Sequence, residues 1–469
     1  MRKHSYNRLL TTCAILGLIA LTPYFSGILI EKYYRQFTSQ TTEISGLKVA
    51  LKEFKRNFFT STAIIEIQVS PNNNQNASYI IPIEQKIVHG PFVIDFKAKK
   101  MPFSIALAHI HNVLSDPFKT QLTEVFHHEN PITVMTKLGF LGKGTTYFSG
   151  VSIKQTTKTN LDIMWDGIDG KIVHSLDLRS LKGEITAPKL SLNNQDFKLD
   201  IINISSKFKT TQKENNLAIG NSALFIQELT YQEKEQALLK LANINISSIL
   251  ENDKTNSEKL VYSLIAKIAD SRILQQAFAE NVYQLTAKSI TPDFFNVLHA
   301  SYDKKFALFD DLLRQLLNSQ ANINIVIPKH FTQALIAFCD LQLYKNGIMG
   351  KIDPRSKEQI SDEIATKTRE RFSKLVANKI FIDSEDDQQY KLALEFDKIG
   401  KIILNGEQLQ NPLQSLQVME QPAATTAAPV GVESSVPETT VPAVTVPTKN
   451  ITDQEIIDHS TDSEVHSDN

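Results

Sequence analysis

Cysteine is nearly missing from this chain of 469 residues: only Cys13 and Cys339 occur. Cys13 lies inside an apolar run near the N-terminus, so no structural disulfide joins the two, and stability rests on packing. Charge of one sign is missing as well. Lys and Arg total 50 against 51 Asp and Glu, a formal net charge of −1, which excludes a global basic field and with it nucleic acid as a partner. Strong catalytic signatures are also absent: there is no His-Glu-x-x-His, no Cys-x-x-Cys and no nicotinamide fingerprint. "GNSAL" (residues 220–224) lacks the second glycine of a nucleophile elbow. In "GFLGKGTT" (residues 139–146) the lysine is misplaced for a phosphate loop, and the glycines flanking an aromatic predict a hairpin instead. These absences point away from an enzyme, and no cofactor is expected.

What is present is, first, a long apolar run. Residues 9–30, "LLTTCAILGLIALTPYFSGILI", contain no charge. As a helix the run rises roughly 33 Å, enough for a bilayer core of about 30 Å. Arg2, Lys3 and Arg8 precede it, which favours a cytoplasmic N-terminus and places everything after Glu31 on the far side. A cleaved signal peptide is the competing reading. Its apolar region spans only about 7–15 residues and ends in a small-x-small site, which is not evident here. Cys13 lies too early for a lipoprotein cysteine, and Pro23 can kink such a helix without stopping it from spanning.

Beyond an amphipathic connector at residues 31–47, period-2 patterns dominate. Ala63, Ile65, Ile67 and Val69 share one face, with Glu66 and Gln68 on the other. The alternation recurs at Phe197, Leu199 and Ile201, and again from Leu260 to Ile268. Polar alternates throughout predict antiparallel sheet with one solvated face. The phrases "INIS" (202–205), "ANINIS" (242–247) and "ANINIV" (321–326) resemble one another, but nothing else recurs at their spacing. They read as economical amphipathic strand rather than an internal repeat. Two helices are predicted. The first covers residues 291–317, with Thr291 as N-cap and Pro292 at the first position. The second covers residues 354–380, with a stripe of Ile360, Ile364, Phe372, Leu375 and Val376. Strands return at 389–396 and 401–404. From residue 418 the chain becomes a Pro/Thr/Ala-rich and then acidic tail, predicted to be disordered.

Histidine supplies the one chemical clue. His109 and His111 sit at i, i+2, where two imidazoles on one strand face can share a metal, with His127 and His128 nearby. These are weak candidates, because the spacing is loose and strand histidines commonly face water. His89, in "HGPF", has no evident acid or nucleophile beside it. Gly90 and Pro91 there read as a bulge that redirects a strand, after which Phe92, Ile94 and Phe96 re-enter the core.

Four stretches resemble the YdgA-like family of bacterial envelope proteins, a domain of unknown function. In "FKRNFFTS" (54–61), Arg56, Phe59 and Ser61 match the family's opening motif, whereas Phe54 and Asn57 depart from its tyrosine and glycine. His89, Gly90, Pro91 and Phe92 match outright. "PITVMTKLGFLG" (131–142) supplies Gly139 and Gly142, and "LEFDKIGKIILNGEQL" (394–409) a closing hairpin turning at Leu404, Asn405 and Gly406. The resemblance implies an inner-membrane-anchored protein with a β-rich periplasmic body, and it supplies no catalytic residues. The expected fold is mainly β (α+β): an elongated antiparallel sheet or sandwich with helices packed toward the C-terminal part. The expected divisions are a basic stub (1–8), anchor (9–30), connector (31–47), β-rich region (48–290), α+β region (291–417) and tail (418–469). The favoured function is binding of a lipid or lipidated partner along an amphipathic sheet. The alternatives are a scaffold recruiting envelope proteins through its tail and, less favoured, a metal-dependent hydrolase.

Overall fold

The computed structural model describes most of residues 21–409; the gaps are 37–46, 70–78, 95–102, most of 115–129, 301–313, 348–354 and a few shorter stretches. The expected tail, and residues 9–20 of the apolar run, lie outside the described residues. Helix α1 covers residues 21–36, so the end of the apolar run is helical and continues into the expected connector. No helix among the described residues is long and apolar enough to cross a membrane.

The body is one antiparallel sheet rather than two packed sheets. Its strands are β1 (Leu47–Arg56), β2 (Thr60–Val69), β3 (Tyr79–His89), and, after the small hairpin β4 (Phe92–Ile94) and β5 (Phe103–Ile105), β6 (Ala108–Leu114), β7 (Ile132–Leu138) and β8 (Lys143–Gly150). Next come β9 (Ile153–Thr156), β10 (Asp162–Trp165), β11 (Ile168–Ser175), β12 (Ser180–Asn193), β13 (Phe197–Gln212), β14 (Ala218–Glu233), β15 (Gln236–Asn252) and β16 (Leu260–Ile273). The chain closes with β17 (Gln276–Phe278), β18 (Asn281–Ile290), β19 (Asn322–Pro328), β20 (Ile382–Ser384), β21 (Gln389–Phe396), β22 (Ile402–Leu404) and β23 (Glu407–Gln408). The main path pairs β1, β2, β3, β6, β7, β8 and β11 in order. It then runs through β12 to β16, and on to β18, β19, β21 and β22. Neighbours in space are almost always neighbours in sequence, which keeps connections short.

The longest strands explain the recurring Asn-Ile phrase. In β13 and β15, Asn203 and Asn243 adopt φ of 51°, a left-handed conformation that Asn tolerates better than β-branched residues. Both sit on one transverse line, with Gln227 of β14 between them, and the register continues unbroken across it. Asn203 donates from Nδ2 to Gln227 Oε1 along that line. Side-chain alternation slips by one residue there. Leu241 and Ile244, three apart, therefore point into the same core, as do Leu229 and Ile226. Because adjacent strands slip together, the apolar face stays continuous. In "ANINIV" no asparagine takes this conformation.

Helices cover that apolar face at its two ends. Ile30 and Tyr34 of α1 bury against Ala63, Ile87, Ala108, Ile110 and Leu138, each such burial stabilising by about 1.5–3 kcal/mol. At the other end, α2 (Pro292–Ala300) brings Phe294 and Phe295 onto Ala287, Ile290 and Phe396. Helix α3 (Lys329–Asn346) seats Phe331 and Phe338 on Leu238, Leu241 and Ile268. Helix α4 (Lys357–Ala377) opens with Ser356 in a complete capping box. Leu375 near its end packs on Ile380 and Leu392.

Helix α3 adds to the two helices expected, and two expectations are corrected. Thr291 does not cap α2 through its side chain, since its buried hydroxyl has no partner and only its carbonyl accepts, from Phe294 N–H at 3.2 Å. And "HGPF" does not return an apolar face to the core: β4 leaves the main sheet, Val93 turns inward and Phe92 outward.

Candidate functional site

Register places Arg56, Ser61 and His89 together. Arg56 lies opposite Ser61, and Ser61 opposite Ile87, so these three and His89 share the face that receives α1. His89 and Ser61 are both buried. A carbonyl can only accept, so Nδ1–H of His89 donates to Phe58 O at 3.2 Å and Nε2 accepts from the Ser61 hydroxyl at 2.8 Å. The carbonyl of Pro23 in α1 also faces the ring and favours its protonated form. A Cβ on Gly27 would come within 2.6 Å of the imidazole, so only glycine lets α1 approach this closely. Arg56 completes the seat: it pairs with Glu31 of α1 at 2.8 Å and lies 5.3 Å from the Tyr24 ring centroid. Tyr33 donates to Leu176 O at 2.6 Å, tying α1 to the turn after β11.

Burial lowers the His89 pKa from 6.5; bonds to Phe58 and Pro23 oppose this, and the neighbouring Arg56 cation adds to the lowering. The unfolded chain therefore takes up a proton that the folded chain resists. Stability is full above about pH 6.5 and falls as the pH drops below it. Acidification from about pH 7.5 to about 5.5 is expected to lower the melting temperature, and His89→Gln to flatten that dependence. Equal pH dependence in the two proteins would remove His89 as its source.

The same pattern of imidazole and hydroxyl recurs. His109, fully buried, meets the Ser104 hydroxyl at 2.6 Å through Nε2. His174 donates to Ser175 O at 2.9 Å and meets Thr146 Oγ1 at 3.2 Å. Two of these pairs came from no local spacing: Ser61 precedes His89, and Thr146 precedes His174, by 28 residues. His109 and His111 do share a side of β6, as expected, but it is the side covered by Val93 and Ser104 of the small hairpin. His128 is exposed and its Nδ1 accepts from Asn130 N–H; His127 lies outside the described residues. Among the described residues no three metal-ligating side chains gather.

Other motif residues shape turns. Gly90 donates to Leu107 O at 2.7 Å, and Pro91 O accepts from Ala106 N–H at 3.0 Å. Gly139 and Gly142 form the β7–β8 turn, the expected hairpin. Asn405 and Gly406 both take positive φ, and Asn405 bonds Ala393 N–H and the carbonyls of Lys379 and Ile380, with Leu404 buried beside them.

Between the helix-covered ends, the apolar face crosses the long strands with Ile185, Leu190, Ile204, Phe208, Leu224 and Leu250, all part-exposed. The opposite face of the same strands carries ion pairs: Lys198–Asp200 at 2.9 Å, Lys207–Glu184 at 3.0 Å and Lys240–Glu228 at 2.9 Å. Bonding to Lys240 holds the Glu228 carboxyl below its usual range. One face thus carries the ion pairs, with Phe225 and Ile249 exposed among them, and the other is apolar and part-exposed among the described residues.

Residues 1–308, more than half of the chain, match the family described as "Bacterial protein of unknown function (DUF945)". The chain belongs to that family. Its matched segment holds the α1 seat, the long strands and α2, whereas α3, α4 and the Leu404–Gly406 turn lie beyond it. No curated protein and no solved structure matches the chain.

Proposed function

We propose that this family member is a membrane-anchored bacterial envelope protein that holds a hydrophobic ligand, a lipid or the acyl group of a lipidated partner, along the apolar face of its sheet. The observation that carries this reading is the asymmetry of the long strands: Ile204, Phe208 and Leu224 line one side while ion pairs lace the other. Burying each such side chain under an acyl chain would contribute about 1.5–3 kcal/mol. The charge-free run that follows Arg2, Lys3 and Arg8 supports an anchor with the body on the periplasmic side, its last turns, with Gly27 and Ile30, being docked on the sheet instead of lying in the bilayer. The resemblance to YdgA-like envelope proteins points the same way.

Solvent extraction and mass spectrometry of the detergent-purified full chain test this. Roughly one lipid per chain is expected, and Ile204→Asp with Leu224→Asp should weaken its binding about thirtyfold or more, since each aspartate opposes apolar contact by more than about 1 kcal/mol. Lipid-free wild-type protein, or a variant that retains its lipid, would rule the reading out.

A further inference from the structure

One end of the sheet carries an apolar rim that neither the seat nor the ligand face uses. The β1–β2 turn, the β3–β4 corner, the start of β6, and the β7–β8 turn all lie at the same strand ends, as their registers require. There Phe59, Phe92, Phe103, Ile105, Phe140 and Leu141 are exposed, Leu141 at 91%. The small hairpin is the clearest case. Its inner side, Val93 and Ser104, is buried, while Phe92, Phe103 and Ile105 on its outer side are 53%, 61% and 63% exposed. A two-stranded sheet in water would be expected to present polar residues outward; this one presents aromatic and aliphatic groups.

The rim is continuous with α1. Tyr24 stacks on Phe58 of the β1–β2 turn with ring centroids 6.0 Å apart. Phe25, Ile28 and Leu29 of α1 are exposed on the side away from the sheet. The charge-free run therefore meets the body where its aromatic rings cluster. Lys143 lies exposed beside the rim, a cation suited to phosphate head groups. Aromatic rings with flanking cations are the side chains that settle at a bilayer's head-group level.

We propose that this end of the sheet seats on the phospholipid bilayer surface, the rim entering the head-group layer around the emerging anchor. The inference rests on the reading that the charge-free run anchors the chain ahead of the docked part of α1, and it adds a second contact that fixes the body's orientation against the membrane. A flexible connector would leave orientation free; the docked helix and the rim remove that freedom.

Single-tryptophan reporters distinguish the two claims. In a Trp165→Phe background, the full chain is reconstituted into phosphatidylethanolamine–phosphatidylglycerol vesicles with brominated acyl chains. Reporters are Leu141→Trp and Phe103→Trp at the rim, Phe25→Trp on α1, and Phe225→Trp on the charged face of the sheet. The seating predicts quenching at both rim sites at least about half that at Phe25→Trp, with none at Phe225→Trp. Quenching at Phe25→Trp alone would overturn the seating and leave the anchor standing. Quenching at Phe225→Trp equal to the rim would overturn it too, and quenching nowhere would remove anchor and seating together.

Discussion

Gly90→Ala is expected to lower stability by about 3 kcal/mol, at the upper end of what overpacking costs. A Cβ at this position would sit 1.6 Å from the carbonyl oxygen of Ala106 and 2.8 Å from its carbon. Those are backbone atoms, so no rotamer change relieves the clash. The chain at Ala106 is in turn held by its bond to Pro91 O, and the next residue by its bond to Leu138 O. Moving either strand loosens the corner where His89, α1 and the small hairpin meet. Calorimetry should show the loss, and limited proteolysis should cut first near the small hairpin. A variant melting with the wild type would mean that this corner yields more easily than its contacts imply.

Phe331→Ala is expected to cost about 3–5 kcal/mol, the range for removing a buried aromatic ring. The Phe331 ring is almost fully buried, with Phe278 and Tyr283 edge-on at centroid distances of 5.6 and 6.2 Å. It is the first large apolar residue of α3, and Tyr283 hydroxyl lies 3.0 Å from the Thr332 hydroxyl beside it. The cavity would open between α3 and the sheet, where β15 and β16 cannot shift without disturbing the whole ladder. Leu343→Ala, on the same helix but 72% exposed, should change stability by less than about 0.5 kcal/mol. Similar losses from the two substitutions in urea unfolding would show that α3 is not held through Phe331.

Strands were legible because their period is short and their polar alternates are unmistakable, as in β2, β13 and β16. Helix α3 was not, although Phe331, Leu335 and Phe338 follow helical spacing. Pro328 ends the preceding strand and the helix starts at once, with no side-chain cap and no turn residues between. Phe92 turns outward against its pattern because alternation tells which residues share a face and not which face is buried. His89 offers the same lesson. Its partners Ser61, Phe58 and Pro23 are distant in sequence, and only pairing of β2 with β3 and docking of α1 assemble them. Motif residues noted one by one, Arg56, Ser61 and His89, proved to be one seat. The slip at Asn203 and Asn243 was visible only as a repeated phrase, since left-handed backbone leaves no apolar pattern of its own.

The most direct test of the open face compares two adjacent residues. Leu224 points to the apolar side of β14 and Phe225 to the charged side, as their partners Ile246 and Asn245 show. A benzophenone amino acid placed at either position and irradiated in living bacteria reports what lies against that side. A lipid or acyl adduct at position 224 and none at 225 is the predicted result. Equal labelling at both, or adducts at 225 alone, would contradict a ligand held on the apolar face.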